Sequence, residues 1–163
     1  MRRMVIGILV LLLALGTGAG VYAANQGVSD TDITAYRLTV DGLVETPLIL
    51  TYGSVTQYPS ISEDVWLVCP GVFEDQREWT GVPVTTLLEE AGVKPEASQV
   101  TFYGSDGYTS TLSLRDTSQD GVFLAYKVDG QTLPKADGYP VRLVVKDKPG
   151  AYWVRWVVRI EVT

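Results

Sequence analysis

The sequence predicts a β-rich α+β domain, a mixed sheet of about seven or eight strands with two or three short helices. Three observations carry that expectation. Short runs rich in Val, Ile, Tyr, Trp and Thr recur from Tyr36 onward. Asp-Gly pairs at 41–42, 106–107 and 129–130 mark tight reversals between them. Only the segment around Leu87 and Leu88 combines helical spacing with both a start and a stop signal.

Taken in order, the chain opens on residues 1–24, where Arg2 and Arg3 precede a nearly unbroken apolar stretch ending in Val21-Tyr22-Ala23-Ala24. A basic start, an apolar centre and small residues before a cleavage point define an export signal, and the stretch is also long enough to serve as an uncleaved membrane anchor. Residues 25–35 are polar and aperiodic and read as a tether. The domain proper spans 36–163. Residues 36–44 form a strand with a reversal at Asp41-Gly42. Residues 47–60 hold an apolar run, then a short helix capped by Thr51 and ended by Pro59. Residues 62–71 form a strand that stops at Pro70-Gly71 and carries the single cysteine, Cys69, at its end.

A Trp79-Thr80-Gly81-Val82 turn then leads into a helix with Pro83 in its first turn, Leu87 and Leu88 for burial, and Gly92 as terminator. Residues 98–116 give two strands hinged on Ser105-Asp106-Gly107, and residues 121–134 another strand with a turn at Asp129-Gly130. Residues 139–163 close as a hairpin around Lys148-Pro149-Gly150, its last strand alternating Trp153, Arg155 and Val157 against Val154, Trp156 and Val158.

Composition bounds the chemistry. The 163 residues are 46% hydrophobic and 20% charged, as expected of one folded domain. Net charge is −6, and −8 without Arg2 and Arg3, so no nucleic-acid partner is expected. The absence of histidine removes His-based triads and imidazole zinc sites. One cysteine forbids a disulfide within the chain. In an exported protein it implies pairing with another chain, an inert buried residue, or a metal ligand.

Six segments in the same order resemble the molybdopterin-binding domain of the sulfite oxidase and methionine-sulfoxide-reductase-like oxidoreductases: YRLTVDGLVETPLILTY, the Cys69 strand, WTGVPVTTLLEEAGV, VTFYGSDGYTSTLSL, FLAYKVDGQTLPKADGYPVRLVV and WVRWVVRIEV. The resemblance implies that family's mixed sheet-and-helix fold in a short single-domain form, with molybdopterin (Mo) as cofactor. Residue by residue, it implies that Cys69 binds molybdenum through sulfur, a soft ligand suited to such a metal. Tyr108 matches the active-site tyrosine whose hydroxyl meets substrate. Arg155 replaces a lysine that helps hold the pterin, and Arg142 falls on a strand arginine with either a structural or a cofactor role.

The chain also departs from the family's pattern. The Asn-His-Pro-Val-Pro-like segment that wraps the pterin is missing before Tyr36, and the histidines that grip its phosphate are absent. In place of a Gly-Asn-Arg-like turn after the cysteine stand Val72, Phe73 and Glu74; a carboxylate there argues against sulfite as substrate.

Two functional expectations follow. One is an exported or membrane-tethered oxidoreductase performing oxygen-atom transfer on a small-molecule substrate, with electrons passed to a separate haem protein or quinone-linked membrane protein. The chain has no haem-attachment pair and no cysteine cluster of its own. The other is a non-catalytic extracytoplasmic binding module that keeps the scaffold without the cofactor.

Overall fold

A computed structural model describes residues 30–163 of the chain. The predicted export signal or anchor, 1–24, and the start of the tether lie outside the described residues. Among those described, no helix is long and apolar enough to cross a membrane. The rest of the tether is not extended: α1 (Asp30–Ala35) is a short helix, and Ile33 packs against the core.

Strands β1 (Leu38–Gly42) and β2 (Leu48–Leu50) follow, and the helical turn α2 (Tyr52–Val55) begins where expected, with the Thr51 side chain accepting from Ser54 N–H at 3.1 Å. The long pair β3 (Ile61–Cys69) and β4 (Phe73–Pro83) comes next, then α3 (Val84–Ala91). The helix buries Val84, Leu87, Leu88 and Ala91, and Gly92 ends it at a left-handed φ of 69° that suits glycine. Strands β5 (Gln99–Gly104) and β6 (Thr109–Ser113) form the predicted hairpin, followed by α4 (Leu114–Thr117). Strands β7 (Val122–Val128), β8 (Gln131–Thr132), β9 (Arg142–Val145) and β10 (Val157–Val162) complete the chain.

Two sheets result. One runs β2-β1-β10-β5-β6, with β1 and β10 parallel and the other pairs antiparallel. The other runs β3-β4-β7, with β8 and β9 both on β7. Their inner faces and α3 enclose one apolar core that includes Val40, Phe102, Phe123, Leu143 and Ile160. The predicted β-rich α+β class with short helices is therefore observed.

Two expectations are corrected. Trp79-Thr80-Gly81-Val82 is not a turn but the inner end of β4, whose outer half, residues 73–79, pairs with β3 in a ladder that runs from Cys69↔Phe73 to Ile61↔Gly81. This half is exposed on one face and only partly covered on the other, so it lacks an apolar alternation. Among the described residues the short helices are α1 to α4, the last capped by Ser113, which accepts from Asp116 N–H at 3.0 Å. Finally, residues 139–163 do not form a hairpin: β9 pairs with β7, whereas β10 lies between β1 and β5 in the other sheet. After Pro149 the chain makes a 3-10 turn (Gly150–Tyr152), buries Trp153 and Val154 in succession, and turns at Trp156 with φ 53°.

Candidate functional site

The strand β3 stops because Pro70 and Gly71 form a turn closed by Val72 N–H donating to Cys69 O at 2.9 Å. This holds Cys69, half-buried, as the last residue of an edge strand, with its sulfur toward a cavity of about 220 Å³. Leu67 and Phe73 flank it on the hairpin side. Opposite lies the 150–152 turn. A Cβ on Gly150 would lie 2.8 Å from Cys69 Sγ and 3.0 Å from Leu67 Cδ1, so the bare glycine gives the sulfur its room. Replacing Gly150 with alanine is expected to cost about 1–3 kcal/mol through overpacking and to change the rate at which iodoacetamide alkylates Cys69. Urea unfolding and timed alkylation check both; no change in either would mean that the turn does not press on the sulfur.

The four residues singled out from the sequence, Cys69, Tyr108, Arg142 and Arg155, all line this cavity. Tyr108 sits on the mouth, 45% exposed, beyond the β5–β6 turn where Asp106 Oδ1 accepts its backbone N–H at 3.0 Å. Its hydroxyl donates to Ala151 O at 2.6 Å, which fastens the 150–152 turn and commits the phenolic proton. Arg155 is exposed at the rim. Gly138, at φ 112°, packs within about van der Waals reach of its backbone, where a Cβ would stand 3.1 Å from Arg155 Cα. Trp156 supports the rim in a left-handed conformation uncommon for a bulky residue. It is held by Ser105 N–H to its carbonyl at 2.9 Å and by its own indole N–H to Lys135 O at 2.9 Å. Strain of this kind concentrates at binding sites.

Arg142 is the strongest electrostatic feature. It is 2% exposed, with its guanidinium carbon 5.0 Å from the Trp79 ring centroid and 5.1 Å from that of Trp153. One amino group donates to Asp137 O at 3.1 Å, while the buried Nε has no partner. Burial first, and then the like charge of Arg155, pull its pKa down to about 10. A buried cation with an unmet donor beside a thiol has the chemistry of an anion site.

Sequence reasoning did not find Asp106, Gly150, Trp79 or Trp153 as parts of this arrangement. It also placed the wrong carboxylate in the cavity. Glu74 pairs across from Val68 and lies on the far face of the hairpin; the carboxylate that lines the cavity is Asp106, against two guanidiniums. Glu74 is therefore not placed to repel sulfite from this cavity.

The donor set can be tested against the cofactor that the resemblance implies. Among the described residues no three His, Cys, Asp or Glu side chains gather to hold a metal ion on their own, so a metal here would take one protein sulfur and its remaining ligands from its carrier. The free sulfur, the orphaned Arg142 Nε and the Gly150 cradle fit the metal-bearing end of a molybdopterin. The cavity, about 220 Å³, is smaller than the roughly 300–1,000 Å³ of pockets that enclose a drug-sized ligand.

Comparisons with known proteins give the family. The family model described as "oxidoreductase molybdopterin binding domain" matches residues 25–163. An uncharacterised oxidoreductase, YuiH, of Bacillus subtilis is 32% identical over 136 residues, covering 81% of this chain and 67% of the relative. The NADPH nitrate reductase of Beauveria bassiana is 30% identical over 173 residues, covering 87% of this chain and 19% of the enzyme, so the chain spans about a fifth of that relative's length. In the crystal structure of the sulfane dehydrogenase SoxCD from Paracoccus pantotrophus, one chain superposes with a TM-score of 0.74 and 32% identity, covering 79% of this chain and 38% of that one. Through this match and the fold it shares, the chain belongs to the oxidoreductase molybdopterin-binding domain family.

Proposed function

We propose that this chain is an exported or membrane-tethered molybdopterin-dependent oxidoreductase domain acting on a small substrate by oxygen-atom transfer. The observation that carries the reading is the convergence of Cys69, Tyr108, Arg142 and Arg155 on one cavity, from four separate parts of the sequence. Cys69 would hold the metal through its sulfur. Arg142 and Arg155 would offset anionic charge on the cofactor, the buried guanidinium more strongly because its surroundings screen it less. Tyr108 closes one side of the mouth through its bond to Ala151 and leaves its oxygen free to accept a hydrogen bond from substrate. When bound, the cofactor supplies the two-electron chemistry, and the protein supplies binding, orientation and electrostatics. Electrons would pass to a separate haem protein or quinone-linked membrane protein. Residues 1–24 would engage the export machinery or the membrane, and residues 25–35 would link them to the domain.

The second reading, an extracytoplasmic binding module without cofactor, is favoured by the small cavity volume of about 220 Å³. Elemental analysis for molybdenum and tungsten separates the two. In protein from a host that makes the cofactor, about one metal per chain is expected in the wild type and none in Cys69→Ser. No metal in either, with folding unchanged, would support the binding module.

A further inference from the structure

The β3–β4 hairpin presents two chemically different faces. Val65 and Leu67 point into the core and Cys69 into the cavity, whereas Asp64, Trp66 and Val68 alternate outward. Across from them on β4 stand Glu78, Gln76 and Glu74. Trp66 is 52% exposed, and Val72, at the hairpin turn, is 80% exposed. Beside Trp66 a groove of about 310 Å³ runs between β3 and residues 146–149. Among the described residues the strand β3 ends its sheet, pairing with β4 alone, so its outer edge carries no ladder there.

The charges around this apolar patch are unbalanced. Asp64 lies directly opposite Glu78, an arrangement that destabilises a strand pair. Neither these two nor Glu74 forms an ion pair among the described residues. The two lysines bordering the groove are already engaged, Lys146 with Glu63 at 3.1 Å and Lys148 with Asp116 at 3.5 Å. The surface is thus an exposed tryptophan framed by carboxylates that form no ion pair among the described residues, with Lys127, across from Thr80, a cation on the same face. It complements a partner with cations around an apolar contact, because tryptophans dominate interface energetics and complementary charge steers association.

We propose that the outer face of this hairpin docks a basic protein, with an apolar contact on Trp66 and Val68 and lysines or arginines against Asp64, Glu74 and Glu78. The site stands apart from the cofactor reading, since these side chains project from the opposite face of the hairpin to Cys69. The test uses the full chain and cytochrome c, a basic protein with lysines around an apolar haem edge, and measures affinity by calorimetry across a salt series. Asp64→Asn with Glu78→Gln is expected to weaken binding at least tenfold at low salt while leaving stability unchanged or higher. Trp66→Ala is expected to weaken it by a similar factor at unchanged net charge. Glu89→Gln with Glu96→Gln, which removes two exposed charges elsewhere, is expected to change it less than twofold. Equal weakening by the two double variants, or no effect of Trp66→Ala, would overturn the proposal by reducing the binding to net charge. So would salt-resistant self-association that depends on the same residues, which would assign the face to a second copy. Metal content does not enter the measurement, so its outcome is separate from that of the cofactor test.

Discussion

Gly81→Ala is expected to destabilise the chain by more than about 4 kcal/mol, the range in which single substitutions report a specific structural conflict. The position sits where the β4–β7 pairing shifts register between Thr80 and Gly81. A Cβ there would stand 2.1 Å from Leu124 O, 2.5 Å from Leu124 C and 2.6 Å from Ala125 Cα. All three are backbone atoms of a buried strand, so no side chain can rotate away to relieve the contact. Glycine within a strand marks such a close approach. The only relief is to part β4 from β7, which also moves Trp79 away from Arg142 and loosens the hairpin that presents Cys69. Urea unfolding checks this: the expected result is a midpoint near zero denaturant or no cooperative transition, and a loss below about 1 kcal/mol would contradict the packing described.

Arg142→Met is expected to act with the opposite sign on stability and to abolish metal retention. Burial and the neighbouring Arg155 lower the Arg142 pKa from its ordinary value to about 10. At about 1.36 kcal/mol per pKa unit, the charged form is held at a cost on the order of 3 kcal/mol. Methionine fills the space between Trp79 and Trp153 without that cost, although the bond to Asp137 O and the two ring contacts are lost. Replacing buried charge by packed apolar atoms is often neutral or stabilising. The net expectation is a melting temperature equal to or above that of the wild type.

The pH dependence follows from the sign of the shift. Because the folded-state pKa lies below the unfolded one, the destabilising contribution is fully present below about pH 10. It is relieved as pH rises from there toward the unfolded value, so the advantage of Arg142→Met narrows in that window. A variant that unfolds more than about 2 kcal/mol more easily would mark Arg142 as a structural residue and remove the anion-site argument.

What could be seen in the sequence is what local chemistry determines. Thr51 caps α2, Pro83 and Gly92 bracket α3, Pro70-Gly71 ends β3 beside Cys69, and Ser105-Asp106-Gly107 turns the β5–β6 hairpin. Features set by distant partners could not be read. The outer half of β4, with Glu74, Asp75, Gln76, Arg77 and Glu78 in succession, gives no apolar rhythm and is a strand because β3 pairs with it. Placing Glu74 in the cavity failed for the same reason, since only the register Val68↔Glu74 tells which face it takes. Trp153 and Trp156 looked like one alternating strand. The left-handed turn at Trp156, a residue that disfavours it, is imposed by hydrogen bonds from Ser105 and to Gly138 and Lys135. The four residues proposed for the site were singled out one at a time through the family pattern, while their meeting in one cavity required the fold.

Alkylation of Cys69 most directly tests whether its sulfur is a metal ligand. Protein made in a host lacking the molybdopterin pathway should react readily with iodoacetamide at this half-buried thiol. Protein from a host that makes the cofactor should be protected in proportion to its bound metal, and releasing the metal should restore reactivity. Equal alkylation of the two preparations, with metal present in one of them, would contradict the assignment.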